Sequence, residues 1–272
     1  MSAQTVVRTE APAELSTPGL VVFFGQSPNG WKMTWALEAL KQAGAIPDYT
    51  VIEINLTGGE QFQPWFKAVN PNCKMPALVW NRPTKHQFKV FESGSILYFL
   101  ARTFDKEFKY HFDDEELEQA MLDWIFWSQA NLGPNQGNAN FWYRYTAHPV
   151  EVAKQRYLTE TERLYKVLDE HLDGKEYMVG GKFTYADMCI APWVRCHFWC
   201  GISLSPYPAL QAWHDRIERL SVVLDALKVP AQDLVTRIKA DPDLERQIME
   251  RMRKARDEKE QAEPEHAKRD RE

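Results

Sequence analysis

Apolar residues recur along this chain with two periods, and one gives way to the other near Asp113. Short runs dominate the first part. Leu20–Phe24 (LVVFF) is unbroken and bounded by Gly19 and Gly25, as in a strand covered on both faces. Met33, Ala36, Leu37 and Leu40 then repeat at i, i+3, i+4 and i+7, and Gly44 closes that helix. Ile52, Ile54 and Leu56 alternate, which predicts a second strand. A short helix near Gln61–Val69 follows. The stretches NPNCKMPALVW and FKVF flank a polar loop, NRPTKHQ, and read as an antiparallel hairpin. Ile96, Leu97 and Leu100 mark the helix after it. The order βαβ, helix, ββα predicts a mixed four-stranded sheet with helices on both faces over residues 19–104.

Beyond residue 113 the strand signals stop. Leu117, Met121, Trp124 and Ile125 lie at helical spacing. Tyr157, Leu164, Leu168 and Leu172 form a longer stripe that Gly174 ends. Two more helices fall in FTYADMCIAPWVRCHFWC and PALQAWHDRIERL, so residues 113–228 are expected to be all-helical. Residues 1–18 are small and polar with Pro12 and Pro18, and a flexible arm is expected there. Residues 229–272 are dominated by alternating charge. Leu244, Ile248 and Met252 predict one solvent-facing helix in this extension before a disordered end.

Composition narrows the function. Of 272 residues, 44% are hydrophobic and 26% charged, which is a globular balance. The net charge of −5 offers no basic footprint for nucleic acid. No apolar run approaches the roughly 20 residues that span a bilayer, so no membrane partner is expected. The N-terminus lacks the basic-then-apolar order of a signal peptide. Four cysteines, Cys73, Cys189, Cys196 and Cys200, make no disulfide framework, and a reduced, cytoplasmic protein is expected.

The segment GQSPNGWK (25–32) nearly spells a phosphate loop, but Trp31 stands where the lysine belongs, Lys32 is followed by Met33, and the magnesium-binding hydroxyl is absent. A capped helix fits every residue instead. Ser27 is a favoured N-cap and Pro28 suits the first helical position, so the loop amides favour an anion above Ser27–Gly30. Pro76 opens a strand, a place for an edge, a bulge or a cis bond. Glu92 and Ser93 sit at the first turn of a helix and suit a ligand carrying both an ammonium and a carboxylate. Thr184-x-x-Asp187 is a capping box, with Phe183 as its staple. Cys196, His197 and Cys200 share a helical turn but have no second ligand pair, so core is expected rather than a metal site.

In this order, the motifs resemble the cytosolic glutathione transferases over roughly residues 19–228. The resemblance implies a thioredoxin-like N-terminal domain followed by an all-α C-terminal domain. In that family the proline matching Pro76 is cis, and its predecessor, here Met75, pairs through its backbone with the cysteinyl part of glutathione; Lys74 joins that site. The pair matching Glu92–Ser93 grips the γ-glutamyl end. SPNGWK is most similar to the fungal class that includes the yeast prion-forming nitrogen regulator, where an asparagine matching Asn29 faces the sulfur. Ser27 replaces the cysteine of omega-like and glutaredoxin-like members, and no tyrosine precedes the first helix.

The resemblance implies an enzyme conjugating glutathione to a small electrophile, in detoxification or secondary metabolism. Asn29 and Ser27 would act on the thiol. Trp31, Trp127, Phe141, Tyr143 and Arg144 would form the electrophile pocket, with Tyr145 beside them. No metal is implied. A homodimer is, and Phe62, Trp65 and Phe66 supply aromatic surface for it. Two other functions remain open: a glutathione-binding regulator or carrier, and glutathione-dependent peroxide or thiol-exchange chemistry, which the serine at 27 disfavours.

Overall fold

The computed structural model describes residues 7–146 and 148–262. The first half is built from β1 (Gly19–Phe24), α1 (Pro28–Gln42), β2 (Tyr49–Glu53), α2 (Pro64–Lys67), β3 (Ala77–Asn81), β4 (Phe88–Phe91) and α3 (Ser93–Phe104). The strands lie in the order β2-β1-β3-β4, with β2 parallel to β1 and the other pairs antiparallel. β1 is therefore central, which is why its sequence is apolar throughout. Leu20, Val22 and Phe24 face α1 and α3, while Val21 and Phe23 pack with Ile52, Phe66 and Val69 on the opposite face. This is the expected thioredoxin-like sheet.

The second half continues with α4 (Glu115–Trp127), α5 (Gly133–Asn140), α6 (Glu151–Leu172), α7 (Tyr185–Val194), α8 (Pro208–Ile217), α9 (Ser221–Ala226), α10 (Leu234–Ala240) and α11 (Pro242–Ala262). A π-helical turn, Ser128–Leu132, joins α4 to α5, and a second, Phe141–Tyr145, follows α5. Every residue of α7 is buried, and it packs against α1, α3 and α4, so it is the post on which the two halves meet. Its start is fixed by the Thr184–Asp187 capping box. Asp187 accepts from Met178 N–H at 3.0 Å, from the Thr184 N–H and hydroxyl at 2.9 Å each, and from the Trp213 indole at 2.8 Å. Burial still pushes the Asp187 carboxyl up to about 6.

Three expectations need correction. The arm is not loose from residue 7 onward: Arg8 pairs with Glu60, the Trp65 indole donates to Arg8 O at 3.0 Å, and Asn81 donates to Leu15 O and Thr17 O. Composition missed this because, apart from the Arg8–Glu60 pair, the contacts use backbone carbonyls of the arm, which every residue type carries. Residues 1–6 lie outside the described residues. The helical core also runs past Lys228. Asp233 caps α10 and pairs with Arg195, both buried, and Val235 and Ile238 are buried beside them. Of the expected α11 stripe, Leu244 and Ile248 pack on the core together with Met249, while Met252 is exposed. The expected disordered end at 263–272 lies outside the described residues. Of the three expected surface aromatics, only Phe62 is exposed; Phe66 is fully buried, with Trp65 against it. Among the described residues no helix is long and apolar enough to cross a membrane.

Candidate functional site

Between the two halves lies a cleft of about 420 Å³, where the N-terminus of α1, the loop before β3, the start of α3 and the α4–α5 junction converge. Each wall has a local cause. Ser27 is extended (φ −156°, ψ 160°) and its hydroxyl accepts the Gly30 N–H at 3.2 Å, with Pro28 at the first helical position. A Cβ on Gly30 would overlap Gly25 O, so only glycine lets the strand turn this tightly into α1. Asn29, one residue into that turn, lines the cleft.

The opposite wall is the loop Asn70–Met75. Asn70 is buried and organises it, donating to Lys74 O at 2.7 Å and accepting Asn72 N–H at 2.9 Å. The Met75–Pro76 peptide that follows is cis, as the resemblance implied. Lys74, Met75 and Pro76 all line the cleft.

The floor is the start of α3. Glu92 precedes the helix with φ at +68°, a left-handed conformation that costs a non-glycine residue about 1–3 kcal/mol. No side chain caps this end of α3, which leaves its first amides open to an anion. Asn72 donates to the Glu92 carboxylate at 3.4 Å, and Ser93 is buried below it.

Beneath Ser93 the structure places a side chain that sequence reasoning passed over. Lys32 is fully buried; its ammonium reaches Gln129 Oε1 at 2.7 Å and Ser93 Oγ at 3.4 Å. Gln129 lies in the π-helical turn after α4, and its amide also donates to Ser93 Oγ at 3.0 Å. Burial drives the Lys32 amine below the usual lysine range, against the pull of the neighbouring Cys189 thiol and of Glu92. A lysine inside the continuously apolar-flanked first turns of α1 was the available signal for it. Gln129 gave none. Trp193, from α7, closes the end beside Asn29 and donates to Asn29 Oδ1 at 3.2 Å.

Thus Asn29, Lys74, Met75, Pro76, Glu92 and Ser93 converge on one cleft. Ser27 does not line it, because its hydroxyl is turned to cap α1. The expected electrophile pocket is not assembled there either. Trp31 is buried, with its indole on Gln26 Oε1. Trp127 stacks edgewise on Trp124. Phe141 and Tyr143 are exposed on the second π-turn. Arg144 turns away to Glu245 and the carbonyls of Phe198 and Trp199, and Tyr145 to the Trp199 indole. Aromatic side chains announce apolar surroundings without saying which ones. The site's end near Asn29 is lined instead by Gly133, Pro134, Asn138 and Trp193. Among the described residues no group of three or more His, Cys, Asp or Glu is gathered. Cys196 and Cys200 are buried, with thiols pushed up to about 12 and about 11.

Comparison with known proteins gives the arrangement its family. Residues 19–102 match the glutathione S-transferase N-terminal domain and residues 139–221 the C-terminal domain. The disulfide-bond oxidoreductase YfcG of Escherichia coli is 35% identical over 198 residues, covering 72% of this chain and 88% of YfcG. A glutathione transferase homolog from Lodderomyces elongisporus, solved with two glutathione molecules per subunit, superposes with a TM-score of 0.73 at 28% identity, over 79% of this chain and 99% of that one. Ure2p in complex with glutathione superposes with a TM-score of 0.70 at 26% identity, over 77% and 99% of the two chains. With both of its halves matched, this chain belongs to the glutathione S-transferase family and resembles Ure2p within it.

Proposed function

We propose that this chain binds glutathione in the cleft and directs its thiolate at the sulfur of a small, polar disulfide. The observation that carries this reading is the cleft's own lining: amides and a lysine surround it, and the expected aromatic wall lies elsewhere. Such a lining fits a second polar ligand better than a flat apolar electrophile. The name of the bacterial relative, a disulfide-bond oxidoreductase, and the two glutathione molecules in the Lodderomyces structure support it.

In this reading the γ-glutamyl carboxylate meets the open amides of α3 and the Ser93 hydroxyl, with the Lys32 charge directly beneath. Glu92 takes the γ-glutamyl ammonium, and the Met75 backbone pairs with the cysteinyl unit. The sulfur then lies beside Asn29. A free thiol with a pKa near 8.5 is only a few per cent ionised at neutral pH, so an amide donor that stabilises the anion raises the thiolate fraction. The thiolate attacks one sulfur of the substrate, the S–S bond breaks, and the departing thiolate takes a proton from solvent. A second glutathione thiolate attacks the mixed disulfide, releasing glutathione disulfide. No protein cysteine is needed, and none lines the cleft. The serine at 27 therefore does not argue against thiol exchange, because glutathione itself supplies the nucleophile.

Conjugation to a small electrophile is the second reading, favoured by the apolar faces that Pro134 and Trp193 add near Asn29. Initial rates separate the two. With glutathione held constant, kcat/KM for a cysteine–glutathione mixed disulfide is expected to exceed that for an activated aryl chloride by about 10-fold or more, worth about 1.4 kcal/mol. The reverse ranking selects conjugation. A melting curve unmoved by millimolar glutathione removes both, since ligand at about 100 times its Kd adds about 2.7 kcal/mol. A two-fold homodimer belongs to the same reading, with the exposed Phe62 and Phe126 as surface to cover; light scattering that gives a monomer mass rejects it.

A further inference from the structure

Trp193 lies near the end of α7 and reaches the first turn of α1, so a side chain of the helical half touches the residue that faces the sulfur. The geometry of that contact carries directional information. An indole nitrogen donates and never accepts. The atom of the Asn29 amide at 3.2 Å from Trp193 Nε1 is therefore its oxygen, and both N–H bonds of Nδ2 face the other way. Asn29 and Trp193 line the same cleft.

We propose that Trp193 is a positioning residue that sets the polarity of the Asn29 amide, so that glutathione sulfur meets N–H donors and not oxygen lone pairs. The proposal rests on the reading of Asn29 given above. The indole is itself held in place. It is 8% exposed, and its backbone carbonyl accepts Gln136 Nε2–H at 2.7 Å. Gly133 packs against it closely enough that an added Cβ would stand 3.3 Å from Nε1. α7 is pinned at its start by Asp187. The donor thus comes from a rigid element, as an orienting contact requires. Without it the terminal torsion of Asn29 is broad and roughly two-fold. Part of the population then turns its oxygen to the sulfur, and the neutral thiol gains over the thiolate.

The test titrates glutathione bound to the full chain, following thiolate absorbance in the ultraviolet against pH. Trp193→Phe removes the donor. The benzothiophene analogue of tryptophan at position 193 removes it while keeping the ring's shape, and serves if the phenylalanine variant folds poorly. Either is expected to raise the bound thiol's pKa by about 0.5–1 unit, with the pH–rate profile displaced equally and the Kd for glutathione within about twofold. Asn29→Ala is expected to give a shift of about one unit, and Trp193→Phe added to it no further shift. If Asn29→Ala moves the thiol and neither change at 193 does, the positioning role falls and the reading of the site stands. If Asn29→Ala leaves the thiol unmoved, both fall. If the effect at 193 persists undiminished without Asn29, it acts by another route and the inference is overturned.

Discussion

Asp187 and Lys32 are both fully buried and both ionisable, yet their surroundings differ in kind. Asp187 accepts from four donors, two on backbone nitrogens, one on a hydroxyl and one on an indole. Donors from within the fold answer its charge in part, and burial still outweighs them. Lys32 has a glutamine oxygen at 2.7 Å and a serine oxygen at 3.4 Å, and among the described residues no carboxylate is in salt-bridge contact with it. Two neutral acceptors do not balance a desolvated ammonium. The first residue thus serves the fold. The second stands beside the cleft, where the Cys189 thiol and Glu92 offset its burial only in part, and in the proposed reading a ligand carboxylate supplies the rest.

The contrast can be broken by substitution. Asp187→Ala leaves four donors without their acceptor and is expected to lower stability by about 3 kcal/mol or more, leaving the glutathione affinity of the folded fraction unchanged. Chemical denaturation with and without glutathione checks it; a stable variant with weakened binding would reverse the assignment. Lys32→Met is expected to do the opposite in both respects. It should raise the stability of the free protein by about 1–2 kcal/mol, because a poorly compensated buried charge gives way to an apolar chain. It should also weaken glutathione roughly 10-fold, about 1.4 kcal/mol. Loss of stability together with unchanged affinity would make Lys32 a structural lysine after all.

The same contrast has opposite signs in pH. The Asp187 carboxyl sits higher in the fold, about 6, than its ordinary 3.8, so its protonated form favours folding. That contribution is complete below pH 3.8 and lost as pH rises through about 6, so wild type should lose about 3 kcal/mol over this window relative to Asp187→Asn. Lys32 is held below its ordinary 10.5, so its contribution is complete above that pH and lost as pH falls through its folded value. The stability advantage of Lys32→Met should therefore close as pH rises toward 10.5. Parallel pH profiles for the two pairs would refute the comparison.

The smallest effects belong to the α1 turn. Asn29→Ala is expected to slow turnover about 10-fold, since one hydrogen bond to an anion is worth about 1.5–3 kcal/mol at most. Ser27→Ala should lower stability by about 1 kcal/mol and scarcely move the thiol, because its hydroxyl caps Gly30 N–H. A larger change in thiol pKa for Ser27→Ala than for Asn29→Ala would exchange their roles.

Much of the fold was legible because its signals are local. LVVFF between two glycines reads as a buried strand; Ser27–Pro28 and Thr184–Asp187 announce helix starts within four residues each. Half of the cleft's lining was legible for the same reason, through Asn29, Met75–Pro76 and Glu92–Ser93. The other half depends on separations that no window spans. Lys32 finds Gln129 across 97 positions, and Asn29 finds Trp193 across 164. Periodicity also selected one stripe of α1, although Trp31–Leu40 is buried on every side. A lysine within such a helix reads as solvent-facing until its neighbours are known. The expected aromatic residues do not line the cleft for a related reason: type, as at Trp31 and Trp127, fixes a preference for burial but not a place.

Gln26 stands one residue before the cap of α1, and its Oε1 accepts from the Trp31 indole at 3.1 Å and from Leu234 N–H at 3.3 Å. The turn that carries Asn29 is therefore tied to a segment made more than two hundred residues later. On a ribosome the sheet half emerges first, without Trp193, Gln129 or Leu234. A nascent chain halted short of residue 193 holds every residue of the thioredoxin-like half and still lacks the Trp193 contact to Asn29, and one halted short of residue 234 lacks the tie to Gln26. The working site is among the last parts of this molecule to exist, although its first residues are among the earliest to be made.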